Sequence, residues 1–289
     1  RKLSGIRPWA WTPDSLQFMA GNLPQVTRPL NLNTRWNKGI RALHSKAWGV
    51  RWAGALTEGF ADLDWIAPRE VYGKTARSAR EARELCEAFN QLGYNEIALK
   101  APFGTAAQGM RRLGAGNRLE GELQVWAEGV LREQGCLVVE PWLERAFDLS
   151  LQLEKRLDGL RVLGYTRLLN NARGQFRGIV TSGFCRGLDP EVVTFIMQRV
   201  EGRPRLYHWY ETQLLPELEA QLAKVGYEGP LGIDAFIYRD QGGRLRLKPV
   251  VELNLRYTMG RVALQLSARN AARSAGLFEV VNKGQAKKK

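Results

Sequence analysis

Asp234 lies in the apolar run Gly232, Ile233, Asp234, Ala235, Phe236, and Glu252 in the run Val250, Val251, Glu252, Leu253, Asn254. The two runs flank a turn of Asp240, Gln241, Gly242 and Gly243, so they should pair as an antiparallel hairpin and bring their acids together. Carboxylates in such strands call for cations, because an unpaired buried charge is strongly unfavourable. Asn254, two residues beyond Glu252, points to the same face of the strand. Two carboxylates and an amide oxygen suit magnesium, which takes oxygen ligands octahedrally and fills its remaining positions with phosphate oxygens and water. Ordinary ion pairs to Arg256 or Lys248 would account equally well for the acids taken alone.

A second group lies earlier in the chain. Lys100 closes a β-rich stretch and is followed by Ala101, Pro102, Phe103, Gly104, Thr105, Ala106, Ala107, Gln108 and Gly109. A loop of such small residues exposes backbone N–H groups and can fold over phosphates, to which the lysine adds a point charge. It is not a Walker loop, since no Gly-Lys-Ser/Thr closes it, and its glycine spacing does not fit a dinucleotide fingerprint.

Other chemistries are poorly provided for. Cys86, Cys136 and Cys185 lie far apart without a CxxC pair, which disfavours a structural zinc site or a disulfide framework. His44 and His208 are the only histidines, and neither stands by a nucleophile motif, which disfavours Ser-His-Asp or Cys-His hydrolysis. No run approaches the length of apolar residues needed to span a membrane, and the basic, aromatic start lacks the apolar core of a signal peptide; the cytoplasm is the default expectation. The net charge of +14, with a run of lysines at 287–289, points to a solvated basic surface or to a polyanionic partner such as nucleic acid or an acidic polymer.

The elements that must position these residues follow from periodicity. At 289 residues, with 44% hydrophobic and 25% charged side chains, the chain should fold as two or three lobes forming one unit. Residues 1–70 are irregular and rich in Trp, Pro, Asn and Gly, with short helices expected at 13–20 and 38–43, and read as a docking or cover segment whose tryptophans pack on the body. A helix is expected at 78–92, with Ala82, Leu85, Ala88, Phe89 and Leu92 at helical spacing behind Ser78 and Glu81. A strand at 96–101, a helix at 119–134 and a strand at 136–142 follow. Antiparallel strands are expected at 148–153, 162–170 and 175–181, helices at 190–200 and 210–225, strands at 231–238 and 245–253, and a helix at 262–275. The aromatic stretch from Tyr207 to Tyr210 suits a packing cluster at a helix start, and Arg186 and Arg261 are either ordinary surface arginines or contacts for an acceptor.

Taken in order, these pieces resemble the ATP-grasp superfamily over about 71–275. Lys100 and the loop after it look like the family's phosphate-binding lysine and flexible glycine loop. Leu137 to Leu143 resembles the hinge strand that contacts adenine, and Glu252, Asn254 and Arg256 match its E-x-N-x-R strand. The resemblance implies an α+β fold in which two subdomains, 71–145 and 146–277, sandwich ATP, preceded by a reduced or missing pre-ATP-grasp domain in 1–70 and followed by a basic tail at 278–289. It implies that Asp234, Glu252 and Asn254 hold Mg2+, with Mn2+ as the alternative ion, and that Lys100 and Arg256 are catalytic. Lys100, Gly104, Thr105, Gly109, Glu140, Pro141, Trp142, Leu143 and Asp148 would contact the nucleotide. The family's other phosphate-binding lysine could correspond to Arg35, Lys46 or Lys74. The implied activity is an ADP-forming carboxylate–amine ligase acting on a small molecule or peptide, with an acidic polymer or a partner subunit as further partners. The alternatives are an ATP-grasp phosphotransferase and an ATP-binding protein with a polyanion-binding surface.

Overall fold

The computed structural model describes residues 6–21, 35–104, 109–171, 174–180, 183–269 and 276–279. Its two larger sheets are both antiparallel. The smaller has four strands in the order β1 (Lys74–Ala76), β4 (Leu137–Pro141), β2 (Ile97–Lys100), β3 (Met110–Leu113). The larger has six, in the order β11 (Leu245–Asn254), β10 (Gly229–Arg239), β5 (Glu144–Arg156), β6 (Gly159–Asn170), β7 (Phe176–Val180), β12 (Leu277–Glu279).

On the small sheet pack α4 (Ala79–Gln91) and α5 (Gly121–Gln134). The first is capped by the Ser78 hydroxyl, which accepts from the Glu81 N–H at 3.1 Å, while Glu81 in return accepts from the Arg77 N–H. Its buried Ala82, Cys86 and Phe89 meet Ile97, Leu99 and Val139 in a core separate from that of the large sheet. Helix α5 ends where Gly135 takes φ 78°, a left-handed conformation that glycine adopts without a Cβ penalty.

Residues before 71 contribute heavily to the large-sheet core. Helices α1 (Pro13–Ala20) and α2 (Lys38–Leu43) fall where the sequence places them, and α3 (Lys46–Glu58) follows. Ile40, Leu43, Ala53, Ile66 and Val71 are buried in the same cluster as Leu149, Leu151, Ile233 and Leu253. Trp48 and Trp52 stack on one another at 5.3 Å along α3, and both pack on this cluster. Beyond α3 the backbone lies along β11: the Leu247 N–H donates to Trp65 O and the Ala67 N–H to Leu247 O, each at 2.8 Å.

Two expected elements differ. The helix expected at 190–200 ends early, as α6 (Pro190–Met197), and β8 (Arg199–Val200) pairs instead with β9 (Arg203–Pro204) around a turn in which Glu201 and Gly202 have positive φ. A further short helix, α7 (Arg205–Trp209), precedes the expected one, which comprises a wide turn at Tyr210–Leu214 and α8 (Leu215–Lys224). Helix α9 spans Met259–Arg269; its expected continuation over 270–275 lies outside the described residues, as does the expected basic tail of 278–289 apart from residues 278 and 279, which belong to β12. Among the described residues no helix is long and apolar enough to cross a membrane.

Candidate active site

The hairpin forms as the turn dictates. Asp234 on β10 lies directly opposite Glu252 on β11, and on its other side opposite Ser150 on β5. Three strands therefore deliver polar groups to one patch. The Ser150 hydroxyl donates to Asp234 Oδ1 at 2.7 Å, and the Asn254 amide donates to Oδ2 at 2.9 Å. Burial, with Glu252 alongside, pushes the Asp234 carboxyl up to about 6. Arg256 donates to Asn254 Oδ1 at 2.7 Å, which holds the amide with its nitrogen toward Asp234.

Strand β5 explains how these polar groups are carried. Asp148, Ser150, Gln152 and Glu154 alternate with buried Leu149, Leu151 and Leu153, so one face of the strand is polar for most of its length. Each polar group meets a partner. Gln152 donates to Ser150 at 2.9 Å and accepts from the Thr258 hydroxyl, and Glu154 accepts from Arg261 at 2.6 Å. The start of α9 lies against this face: a Cβ on Gly260 would come within 2.3 Å of the Gln152 amide nitrogen.

Cations enter from two other elements. Lys46, in the first turn of α3, stands 2.9 Å from Glu252 and also donates to Gly104 O. Lys100, at the end of β2, pairs with Glu140 on β4, and Lys248 on β11 meets the other Glu140 oxygen at 3.3 Å. Burial alone would raise the Glu140 carboxyl, but Lys100 and Lys248 hold it down at about 2. Burial pulls the Lys248 ammonium below its usual range, opposed by Glu140.

A cavity of about 550 Å³ opens above this patch, and Lys46, Lys100, Asp234, Glu252, Asn254 and Arg256 all line it. Gly104 and Gly109 also line it and approach so closely that a Cβ on either would come within 2.9 Å of the other's Cα. The Ala101 N–H closes this neck on Gly109 O at 2.7 Å. At the mouth stands Trp9, 46% exposed, on an extended segment in which Ala10 bridges to Arg256 and the Tyr257 N–H donates to Trp9 O at 2.8 Å.

No family model and no curated protein matches the chain by sequence. Solved structures do match its fold. Biotin carboxylase from Campylobacter jejuni, as its β,γ-ATP complex, aligns with a TM-score of 0.52 at 15% identity over 91% of this chain and 50% of its own. The biotin carboxylase domain of Hydrogenobacter thermophilus 2-oxoglutarate carboxylase, with MgADP and bicarbonate, aligns at 0.51 and 16% identity over 93% and 54%. D-alanyl-alanine synthetase A from Vibrio cholerae aligns at 0.50 and 12% over 82% and 63%.

The chain has the ATP-grasp fold. It spans about half the length of the two carboxylase structures.

Within this ATP-grasp fold the expected residues divide into two groups. Lys100, Gly104, Gly109, Asp148, Asp234, Glu252, Asn254 and Arg256 face one cavity, whereas Glu140, Pro141, Trp142 and Leu143 do not line it. Glu140 is buried between the two lysines, Pro141 pairs with Ile97, Leu143 is in the large core, and the Trp142 ring lies between Arg112 at 4.7 Å and Arg145 at 5.1 Å. Thr105 lies outside the described residues. Of the three upstream cations, Lys46 alone lines the cavity; Arg35 pairs with Glu228 and Lys74 lies over Phe89. Arg261 serves Glu154, and Arg186 is not among the cavity residues. Trp209 and Tyr210 are buried in the large core.

Lys46, Ser150, Gln152 and Thr258 were not singled out as site residues by the sequence, apart from Lys46 as one of three options. The alternation of polar and leucine residues along 148–154 was the available signal for Ser150 and Gln152. It marks a strand whose polar face is covered rather than solvated.

Proposed function

We propose that this chain is an ATP-dependent carboxylate–amine ligase that forms an acyl phosphate and releases ADP. The observation that carries the reading is one cavity bordered by two facing carboxylates, an amide and four cationic side chains drawn from different elements.

The donor set fits magnesium. Asp234 and Glu252 offer hard oxygens on adjacent strands, where burial and their proximity raise the Asp234 carboxyl, and the Asn254 oxygen, which accepts from Arg256, would join them once its amide turns. Among the described residues no cluster of three or more His, Cys, Asp or Glu is present, so ligand phosphate oxygens and water would complete the coordination. An ion held by these residues would supply charge neutralisation to the phosphate oxygens. Lys100 and Lys46 hold the phosphates, Lys46 from beside Glu252, and the neck at Gly104 and Gly109 lets backbone approach them closely. The substrate carboxylate oxygen attacks the γ-phosphorus, the bond to the ADP oxygen breaks, and Arg256 steadies the acyl phosphate. An amine then displaces inorganic phosphate and loses a proton. Alignment and charge neutralisation do this work, and no side-chain nucleophile is needed.

The test is release of ADP and phosphate from Mg-ATP across a panel of amino acids, short peptides and acidic polymers, in wild type and Glu252→Gln. Release that depends on an acceptor and disappears in the variant supports the ligase. Mg-dependent ATP binding with no acceptor-dependent release would sink it and leave the binding-protein alternative.

A further inference from the structure

Lys248 is the least accessible cation of the site, 1% exposed, and it does not line the cavity. It lies on the same strand as Glu252, but its ammonium pairs with neither Asp234 nor Glu252. Its ammonium meets Glu140 Oε2 at 3.3 Å and Val71 O at 3.1 Å, and it lies over the rings of Tyr72 at 5.4 Å and Phe236 at 5.8 Å. Glu140 itself is 4% exposed and belongs to the other sheet, so the pair joins the four-stranded sheet to the six-stranded one. Lys100, 8% exposed, takes the remaining Glu140 oxygen and is the only member of the three that reaches the cavity.

The charges within this triad do not balance. Two ammonium groups share one carboxylate, which leaves one positive charge without a buried counter-ion. Low-dielectric surroundings make that costly unless an anion arrives. The cavity is where an anion can arrive, and Lys100 is the group that can meet it.

We infer that Lys248 is a positioning residue that keeps Glu140 paired while Lys100 exchanges the Glu140 carboxylate for a nucleotide phosphate. Without Lys248, drawing Lys100 toward phosphate would strand a buried carboxylate, and Lys100 would stay where it is. With Lys248, phosphate binding turns a triad of unbalanced charge into two balanced pairs, Lys248 with Glu140 and Lys100 with phosphate. The inference rests on the nucleotide reading of the cavity.

The experiment compares ADP and adenosine affinity, by titration calorimetry, for wild type, Lys248→Met, Glu140→Gln and the double variant. Lys248→Met is expected to weaken ADP about tenfold or more while adenosine moves less than about twofold, because only ADP asks Lys100 to leave Glu140. The double variant, in which no carboxylate retains Lys100, is expected to regain most of the ADP affinity. Equal losses for ADP and adenosine, or no rescue in the double variant, would overturn the exchange and leave Lys248 a packing residue.

Lys100→Met decides the matter independently if Lys248→Met does not fold. Glu140 then keeps Lys248, so the melting temperature should stay within about 3 °C of wild type while ADP affinity is lost. A large drop in melting temperature would show that Glu140 depends on Lys100 and would overturn the inference. Wild type that binds neither ADP nor adenosine would overturn the nucleotide reading and the exchange together; binding with equal losses overturns the exchange alone.

Discussion

On the six-stranded sheet Asp234 is held by two neutral donors, Ser150 and Asn254, whereas on the four-stranded sheet Lys100 is held by an oppositely charged partner, Glu140. The first arrangement continues through Gln152 and Thr258 into the start of α9, so each side chain is fixed by its neighbour. The second is an ion pair, whose lysine can turn to a new anion without leaving a neutral hydrogen-bond partner behind. One half of the site is thus built in place before any ligand arrives, and the other is built to change partner. Preorganised polar groups do best where charge must be stabilised without rearrangement, and exchangeable ones where a substrate must be admitted.

The comparison breaks most sharply at the carboxylates. Glu252→Gln should lower Mg-ATP turnover about a thousandfold with the fold retained, because a neutral amide cannot replace one of the two facing acids; steady-state ADP release and a thermal melt check both halves of the statement. Lys46→Met should cost about a hundredfold in kcat/KM for ATP, less than the carboxylate because Lys100 remains.

Next comes the fixed network. Gly260→Ala places a methyl where Gln152 lies and should destabilise the protein by about 2 kcal/mol, read by denaturant titration, since Gln152 is buried and bonded and has little room to yield. A Gly109→Ala change, clashing only within the neck, should spare stability and reduce ATP turnover.

The last effect appears only in acid. Glu140 has its carboxyl held at about 2 against an ordinary value of 4.5, so its contribution to stability is complete above about pH 4.5 and is lost as pH falls toward 2. Glu140→Gln should flatten that part of the acid-unfolding curve. His44 adds a second window: burial, with Arg256 nearby, lowers it from 6.5 to about 4, so stability is complete above pH 6.5 and falls as pH drops toward 4. His44→Gln should remove that slope.

The strands that carry the facing acids were legible because their signal is local. Asp234, Glu252, Asn254 and Arg256 sit at fixed offsets in two strands joined by a tight turn, and a two-residue period settles which of them share a face. Helix α4 was legible for the same reason, with its cap and apolar stripe within one segment. Helix α3 was not. Its buried face consists of Ala47, Gly49, Val50, Ala53, Gly54 and Thr57, small residues with two glycines that read as helix-breaking. Gly54 is explained only by the fold, because a Cβ there would meet the Arg69 guanidinium at 2.8 Å. Since α3 carries Lys46, the lysine opposite Glu252 could not be chosen from its alternatives. Strands β1 and β3 were missed because three or four residues are too few to display a period, and they exist through pairing with β4 and β2. The place of Glu140 was hidden too, since the hinge pattern says nothing of Lys248 on a distant strand.

Ala10 bridges to Arg256, and Tyr257 donates to the backbone beside it. The wall of the cavity that carries Trp9 is therefore made by two stretches separated by most of the sequence, with the small sheet and all of the large one except β12 lying between them. A chain leaving the ribosome presents Trp9 long before Arg256 exists, and closing so large a loop is favourable only after local pairings have formed. The β10–β11 hairpin can bring Asp234 and Glu252 together early, but the mouth of the cavity waits for the last of these contacts. A partly synthesised or partly refolded chain would therefore hold its acidic patch open to water, and its ability to enclose a substrate would mark the end of folding.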